Sequence, residues 1–204
     1  MNANSTVIVV DDDRAVRESL SMMLEQKGFA VSTFDSAEAF LADCQTTSRS
    51  CAIVDIRMPG MDGLALQGEL AKLGNPIPIV FLTGHGEIPI SVRAMKMGAV
   101  DFLPKPITCS ALLESVAAAL LESDKRRELL KAKTTAAAHL GSLTGREREV
   151  AELTVAGLSS KEIGRRLDIS HRTVEIHRAR IMKKTGADQL IDLMHLIETA
   201  KADF

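Results

Sequence analysis

The sequence predicts an α/β domain built on a five-stranded parallel sheet, followed by an all-α domain. Three observations carry that expectation. Short β-branched or apolar runs alternate with amphipathic segments through residue 122, the pattern of a parallel sheet covered on both faces. Beyond that point, helix-start signatures follow one another with no strand-like run between them. The charge also divides: residues 1–122 hold 9 Lys+Arg against 15 Asp+Glu, and residues 123–204 hold 16 against 12. A chain of 204 residues is comfortable for two domains. An acidic half suits a cation, and a basic half suits nucleic acid.

The elements are read in order. Val7-Ile8-Val9-Val10 is a first strand that runs into Asp11-Asp12-Asp13. Adjacent carboxylates repel one another unless they are solvated or neutralised by a hard cation. Val16, Leu20, Met23, Leu24 and Lys27 mark a helix with a basic end, stopped by Gly28. Phe29 to Phe34 reads as a strand, and Ser36 caps a short helix carrying Ala39, Phe40 and Leu41. Cys51 to Asp55 is an apolar run with a carboxylate at its end, followed by a Pro/Gly turn and a helix through Leu64, Leu66 and Leu70. Pro76 to Leu82 is a fourth strand ending at Thr83. Val92, Met95 and Lys96 lie on a helix closed by Gly98. Val100 to Leu103 is the fifth strand, ending at Pro104-Lys105-Pro106, and a last helix begins near Thr108.

Asp11, Asp12, Asp55, Thr83 and Lys105 therefore each stand where a strand has just ended. In an open parallel sheet those ends share one edge, where ligands bind. Singly, each has a plainer use: Asp and Thr cap turns, Phe102 packs a core, and Lys105 is a surface cation. Together they form a constellation. His85, just past Thr83, is read as a loop histidine. Cys44, Cys51 and Cys109 are too scattered for zinc spacing and are read as reduced.

Val10-Asp11-Asp12, Asp55-Ile56-Arg57-Met58-Pro59-Gly60-Met61-Asp62-Gly63, Leu82-Thr83-Gly84 and Gly98-Ala99-Val100-Asp101-Phe102-Leu103-Pro104-Lys105-Pro106 resemble the receiver domain of two-component response regulators. The resemblance implies a flavodoxin-like sheet and phosphorylation of Asp55 by a sensor histidine kinase. It implies magnesium held by Asp12, Asp55 and the Arg57 backbone carbonyl, with Asp11 acting mainly through water. Lys105 is to pair with a phosphoryl oxygen, with a cis peptide at Lys105–Pro106. Thr83 is the switch hydroxyl and Phe102 the switch aromatic. A dimer face is expected on the helix of Val92, Met95 and Lys96.

Residues 123–140 are charged and helix-favouring and are read as a linker, loosening from Thr134 to Gly141-Ser142. Lys125-Arg126-Arg127 is read as a solvated face. In residues 141–204, Thr144-Gly145-Arg146-Glu147 and Ser159-Ser160-Lys161-Glu162 fit the capping box. The second opens a short helix, the turn Asp168-Ile169-Ser170 follows, and a basic helix runs from His171 to Lys184, ended by Gly186. This is a helix-turn-helix. A further helix carries Leu190, Leu193, Met194 and Ile197.

Leu143 to Val150 and Thr173 to Arg180 resemble the four-helix LuxR/NarL-type DNA-binding domain. Base-facing positions carried over are Glu175, Ile176 and Ala179; members of the family with lysine there differ from this chain. Glu175 suits a cytosine amine. Arg172, Thr173, His177, Arg178, Arg180, Lys183 and Lys184 are read as phosphate contacts, which position the helix.

Receiver and DNA-binding motifs together resemble the FixJ/NarL-type response regulators. The resemblance implies a phosphorylation-switched activator rather than an enzyme. It implies a FixL-like kinase, nitrogen-fixation or microaerobic promoters, double-stranded promoter DNA, RNA polymerase and homodimerisation on phosphorylation. Two alternatives stay open: a constitutive DNA-binding protein whose receiver only docks partners, and a phosphoaspartate hydrolase. No apolar run reaches the length of a membrane span and no basic region precedes the first apolar segment, so a cytoplasmic location is expected.

Overall fold

A computed structural model describes residues 5–43, 49–84 and 88–201, and only the backbone of 88–91. Cys44 and His85 lie outside the described residues. The elements in chain order are β1 (Ser5–Val10), α1 (Arg14–Glu25), β2 (Ala30–Phe34), α2 (Ala37–Asp43), β3 (Arg49–Asp55), α3 (Gly63–Lys72) and β4 (Ile79–Thr83). They continue as α4 (Ile88–Lys96), β5 (Asp101–Pro104), α5 (Cys109–Gly141), α6 (Gly145–Val155), α7 (Ser160–Leu167), α8 (His171–Thr185) and α9 (Leu190–Lys201). The chain forms two compact units, Met1–Arg127 and Glu128–Phe204.

In the first unit the sheet order is β2-β1-β3-β4-β5, with every neighbouring pair parallel. Alternate residues bury on opposite faces. Ile8, Val10, Ala52, Val54 and Phe81 pack with Ala37 and Phe40 of α2 and with Leu66 and Leu70 of α3. Val7, Val9, Cys51, Ile53, Val80 and Leu82 pack with Leu20 and Leu24 of α1 and with Leu112, Val116 and Leu120 of α5. Each Val, Leu, Ile or Phe among them contributes about 1.5–3 kcal/mol on burial. The register pairs Val10 with Val54, Asp55 with Leu82 and Thr83 with Pro104, so the carboxyl ends finish level.

Some boundaries differ from expectation for identifiable reasons. β4 starts at Ile79 rather than Pro76, because Pro76 and Pro78 have no N–H to give a ladder. Lys27 falls in the turn after α1 rather than at its basic end. The loosening expected from Thr134 is absent: α5 is helical to Gly141, and the Thr134 hydroxyl donates to Leu130 O at 2.8 Å. Alanines through this stretch cost the helix nothing in side-chain entropy. Ser123, Asp124 and Arg126 are held by the first unit. Ser50 N donates to Ser123 Oγ at 3.3 Å, Arg49 Nε meets Asp124 at 2.9 Å, and Arg126 Nη2 donates to Gly98 O at 3.0 Å. Arg126 is therefore a bonded side chain, not part of a solvated face.

The second unit buries Leu143, Val150, Ile163, Val174, Ile181 and Leu193 around one core. Both capping boxes form, and Ser170 Oγ caps α8 through Thr173 N at 3.0 Å. The α7–α8 turn passes Asp168 in the left-handed region at φ 53°. It crosses so close to α7 that a Cβ at Gly164 would lie 2.7 Å from Ile169 O.

Candidate functional site

Asp11 follows β1 and is fully buried. Its Oδ2 accepts from Lys105 Nζ at 2.7 Å, and its Oδ1 accepts from Asp13 N at 2.9 Å. Its carbonyl oxygen accepts from Arg17 Nη1 at 2.6 Å, so α1 fixes the turn that carries the acidic pair. Asp55 closes β3, is buried, and meets the same Lys105 Nζ at 3.1 Å. Asp12 is exposed, yet Asp11, Asp12 and Asp55 each bring an oxygen within 4.8 Å of the others. Lys105 N donates to Thr83 O at 2.7 Å, tying the end of β5 to the end of β4, and Lys105–Pro106 is cis. Thr83 is buried, and its hydroxyl donates to Gly84 O at 2.8 Å.

Burial pushes the Asp55 carboxyl above its ordinary range; Lys105 opposes that rise, and the charges of Asp11 and Asp12 add to it. Burial alone lowers the Lys105 ammonium, but its bonds to Asp11 and the charge of Asp55 together raise it. Acids thus outnumber the cation among them. The donor set is all oxygen, with one member open to solvent, which fits a hard divalent ion such as magnesium. Receiver domains generally bind magnesium at such a cluster. Arg57 lies in the loop between β3 and α3 that Gly63 closes, where Gly63 N donates to Ile56 O at 2.9 Å. A Cβ at Gly63 would stand 2.5 Å from Asp55 O.

Phe102 is half-buried, its ring centroid 6.3 Å from that of Phe81 and tilted by 54°. On α4, Val92 is 52% and Met95 48% exposed, with Lys96 beside them. Gln67 Nε2 holds the end of that helix through Met97 O at 3.0 Å. Burial raises the Cys51 thiol to about 12, so it is an inert core group; Cys109 is exposed.

The second unit presents α8. Arg172, Glu175, Ile176, Ala179, Arg180 and Lys183 are exposed, while Thr173, His177 and Arg178 are half-buried. Lys184 is engaged within the unit, its Nζ lying 2.7 Å from Glu147 Oε2 and 3.2 Å from Ser142 O. Lys184, with the Thr144 backbone N–H next, lowers the Glu147 carboxyl to about 2. Sequence reasoning missed Arg17, the Lys184 partner of Glu147, and an open concavity at the helix-turn-helix lined by Lys161, Arg165, Ser170 and His171. A cation one helical turn from another along α7 was the available sign for the last. No helix of the described residues is long and apolar enough to cross a membrane.

Residues 7–117 match the response regulator receiver domain, and residues 141–197 match the bacterial regulatory proteins of the luxR family. Transcriptional regulatory protein FixJ of Bradyrhizobium diazoefficiens is 41% identical over 196 residues, covering 96% of each chain. Response regulator protein TmoT of Ectopseudomonas mendocina is 41% identical over 202 residues, covering 98% of this chain and 92% of that protein. The solved structure of response regulator StyR superposes with a TM-score of 0.76 at 45% identity, covering 96% of this chain and 99% of that one.

Proposed function

The chain belongs to the two-component response regulators that join a receiver to a LuxR-family DNA-binding domain, and from that premise we propose that phosphorylation of Asp55 switches its hold on promoter DNA. Membership implies a sensor kinase and DNA as partners. The observation that carries the reading is Lys105 Nζ shared between Asp55 and Asp11, with Asp12 alongside. A receiver used only for docking leaves that cluster without a role.

An Asp55 oxygen attacks the phosphorus of a phosphoryl group on a kinase imidazole; the P–O bond forms as the P–N bond breaks. Such transfer is mostly positioning and charge neutralisation. Magnesium held by Asp12, Asp55 and the Arg57 carbonyl, with Asp11 through water, would offset the repulsion between carboxylates and phosphoryl oxygens. Lys105 turns from Asp55 to a phosphoryl oxygen. Thr83 exchanges Gly84 O for another oxygen, and Phe102 follows into the space released. The exposed Val92, Met95 and Lys96 on α4 supply a face for a second copy, which suits a two-fold operator. On DNA, α8 enters the major groove with Glu175, Ile176 and Ala179 toward the bases, and RNA polymerase is recruited beside it.

The FixJ of Bradyrhizobium diazoefficiens and TmoT are each 41% identical to the chain. Nitrogen-fixation promoters and a FixL-like kinase are therefore one branch of the reading, not singled out by likeness. The test is ultracentrifugation and operator binding with and without a small-molecule phosphodonor and magnesium. The expected result is a gain in mass and affinity that needs both; no change in either refutes the switch.

A further inference from the structure

The first residue of α7 reaches side chains on the outer surface of α8. Ser160 Oγ donates to Glu175 Oε1, and Arg178 Nη1 donates to the same Ser160 Oγ at 3.1 Å. Glu175 and Arg178 are neighbours one turn apart on α8, and a hydroxyl from another helix joins them. A hydroxyl has one donor and two acceptor positions. Here the donor serves the carboxylate and an acceptor takes the guanidinium, which fixes the direction of the chain. A cation donating into a hydroxyl polarises its O–H and strengthens the onward bond.

We propose that Ser160 is a positioning residue for sequence recognition: it locks one oxygen of Glu175, leaves the other for a cytosine amino group, and connects the carboxylate to Arg178 as counter-charge. The proposal rests on the reading of α8 as the helix in the major groove. Recognition helices contact base edges through their N-terminal residues, and Glu175 is exposed in that part of α8. Its second oxygen has no protein partner among the described residues. A carboxylate entering a groove lined by phosphates is repelled and loses hydration. A freely turning Glu also loses rotamer freedom when it binds. The Ser160–Arg178 relay reduces the repulsion and the rotamer loss before DNA arrives. Arg178 is thereby assigned to Glu175, not to a phosphate, and the base read by Glu175 is cytosine, the only base presenting a lone amine donor in the major groove.

The experiment uses the full chain with a phosphodonor and a duplex library with randomised positions. Affinities are then measured for the selected duplex and for versions with each base pair changed. The expected result is a cytosine preference that Glu175→Ala abolishes and Ser160→Ala reduces about two- to ten-fold. Ser160→Thr, which keeps the hydroxyl, retains it. Ser160→Ala adds nothing in the Glu175→Ala background. The log–log salt slope is unchanged by Ser160→Ala and by Arg178→Ala, whereas loss of a phosphate contact flattens it by about one unit. Full cytosine preference in Ser160→Ala, with loss in Glu175→Ala, overturns the relay and leaves the reading of α8 intact. Preference undiminished in Glu175→Ala removes base reading by Glu175 and the proposal with it. A flattened slope in Arg178→Ala returns that residue to the phosphates and overturns the relay.

Discussion

Lys105 in the first unit and Lys184 in the second each reach a buried carboxylate at 2.7 Å, and the surroundings of the two pairs differ. Glu147 collects Lys184 Nζ, Thr144 N and Thr144 Oγ1 on one carboxylate. Donors outnumber the acid, and its carboxyl falls to about 2. At the sheet edge one lysine serves Asp11 and Asp55 with Asp12 close by, and burial raises Asp55. Acids outnumber the donor. The first arrangement is a closed latch that holds the start of α6 to the end of α8. The second has charge still to be neutralised, which suits a cation and a phosphoryl group. The balance of donors and acids, not the presence of a Lys–carboxylate pair, separates structure from chemistry here.

The sharpest way to break that comparison is to remove the nucleophile. Asp55→Asn is expected to lose all phosphodonor label, while Glu147→Gln is expected to label like the parent. Acid-labile incorporation measured side by side checks both, and label retained by Asp55→Asn would move the chemistry elsewhere. Next in size is Gly63→Ala. Its Cβ would stand 2.5 Å from the Asp55 carbonyl oxygen, a backbone atom with little room to give. Overpacking of this kind costs about 1–3 kcal/mol. Urea unfolding should show that loss, with slower labelling as the Asp55 strand end shifts; parental stability would mean α3 can move away freely.

The edge constellation was legible because strand ends in a parallel sheet converge by topology alone. Asp11, Asp55, Thr83 and Lys105 could be placed together without knowing one side-chain torsion. Both capping boxes were legible too, since their partners lie three residues apart. What stayed hidden were bonds between distant side chains and main chain: Arg17 to Asp11 O, Arg146 to Leu167 O, Lys184 to Glu147, Ser160 to Glu175. None follows a helical or strand period, and each depends on how two packed helices or turns meet. Arg126 shows the cost of reading locally. A basic triplet in a charged helix looks solvated, yet Gly98 O lies within reach of its guanidinium only once the fold is formed.

The two pairs should also respond oppositely to acid. Glu147 has a folded value of about 2 against an ordinary 4.5, so its contribution to stability is present above 4.5 and is lost as pH falls toward 2. Asp55 is raised, so the folded state holds its proton more tightly and gains relative stability as pH falls through that raised value. Magnesium bound at Asp55 favours the charged carboxylate, so this second slope belongs to the metal-free protein. Hydrogen exchange along α6 and α8 on acidification, with Glu147→Gln as control, checks the first slope. Urea unfolding of the parent and of Asp55→Asn across the same pH range, in chelator, checks the second, and slopes of one sign for both would mean the pairs are not different in kind.

The smallest expected effect separates neighbouring lysines. Lys183 is exposed, whereas Lys184 Nζ is held by Glu147 and Ser142 O. Both were read from the sequence as phosphate contacts, a use that for Lys184 requires leaving a carboxylate whose other bonds cap α6. Exposed Lys183 has no such carboxylate partner among the described residues. Replacing a lysine that neutralises one phosphate flattens the log–log dependence of DNA affinity on salt by about one unit. Lys183→Ala is expected to do so with little change in stability, because an exposed side chain away from special contacts contributes within about 0.5 kcal/mol. Lys184→Ala is expected to leave the slope near that of the parent and to loosen the α6–α8 junction instead, since the Glu147 carboxylate loses the cation that lowers it most. Salt titrations of operator binding read the first quantity and thermal unfolding the second. A slope flattened equally by both variants would show that Lys184 abandons Glu147 on DNA, and the latch in the second unit would then be, like the sheet edge of the first, a pair that changes partners to function.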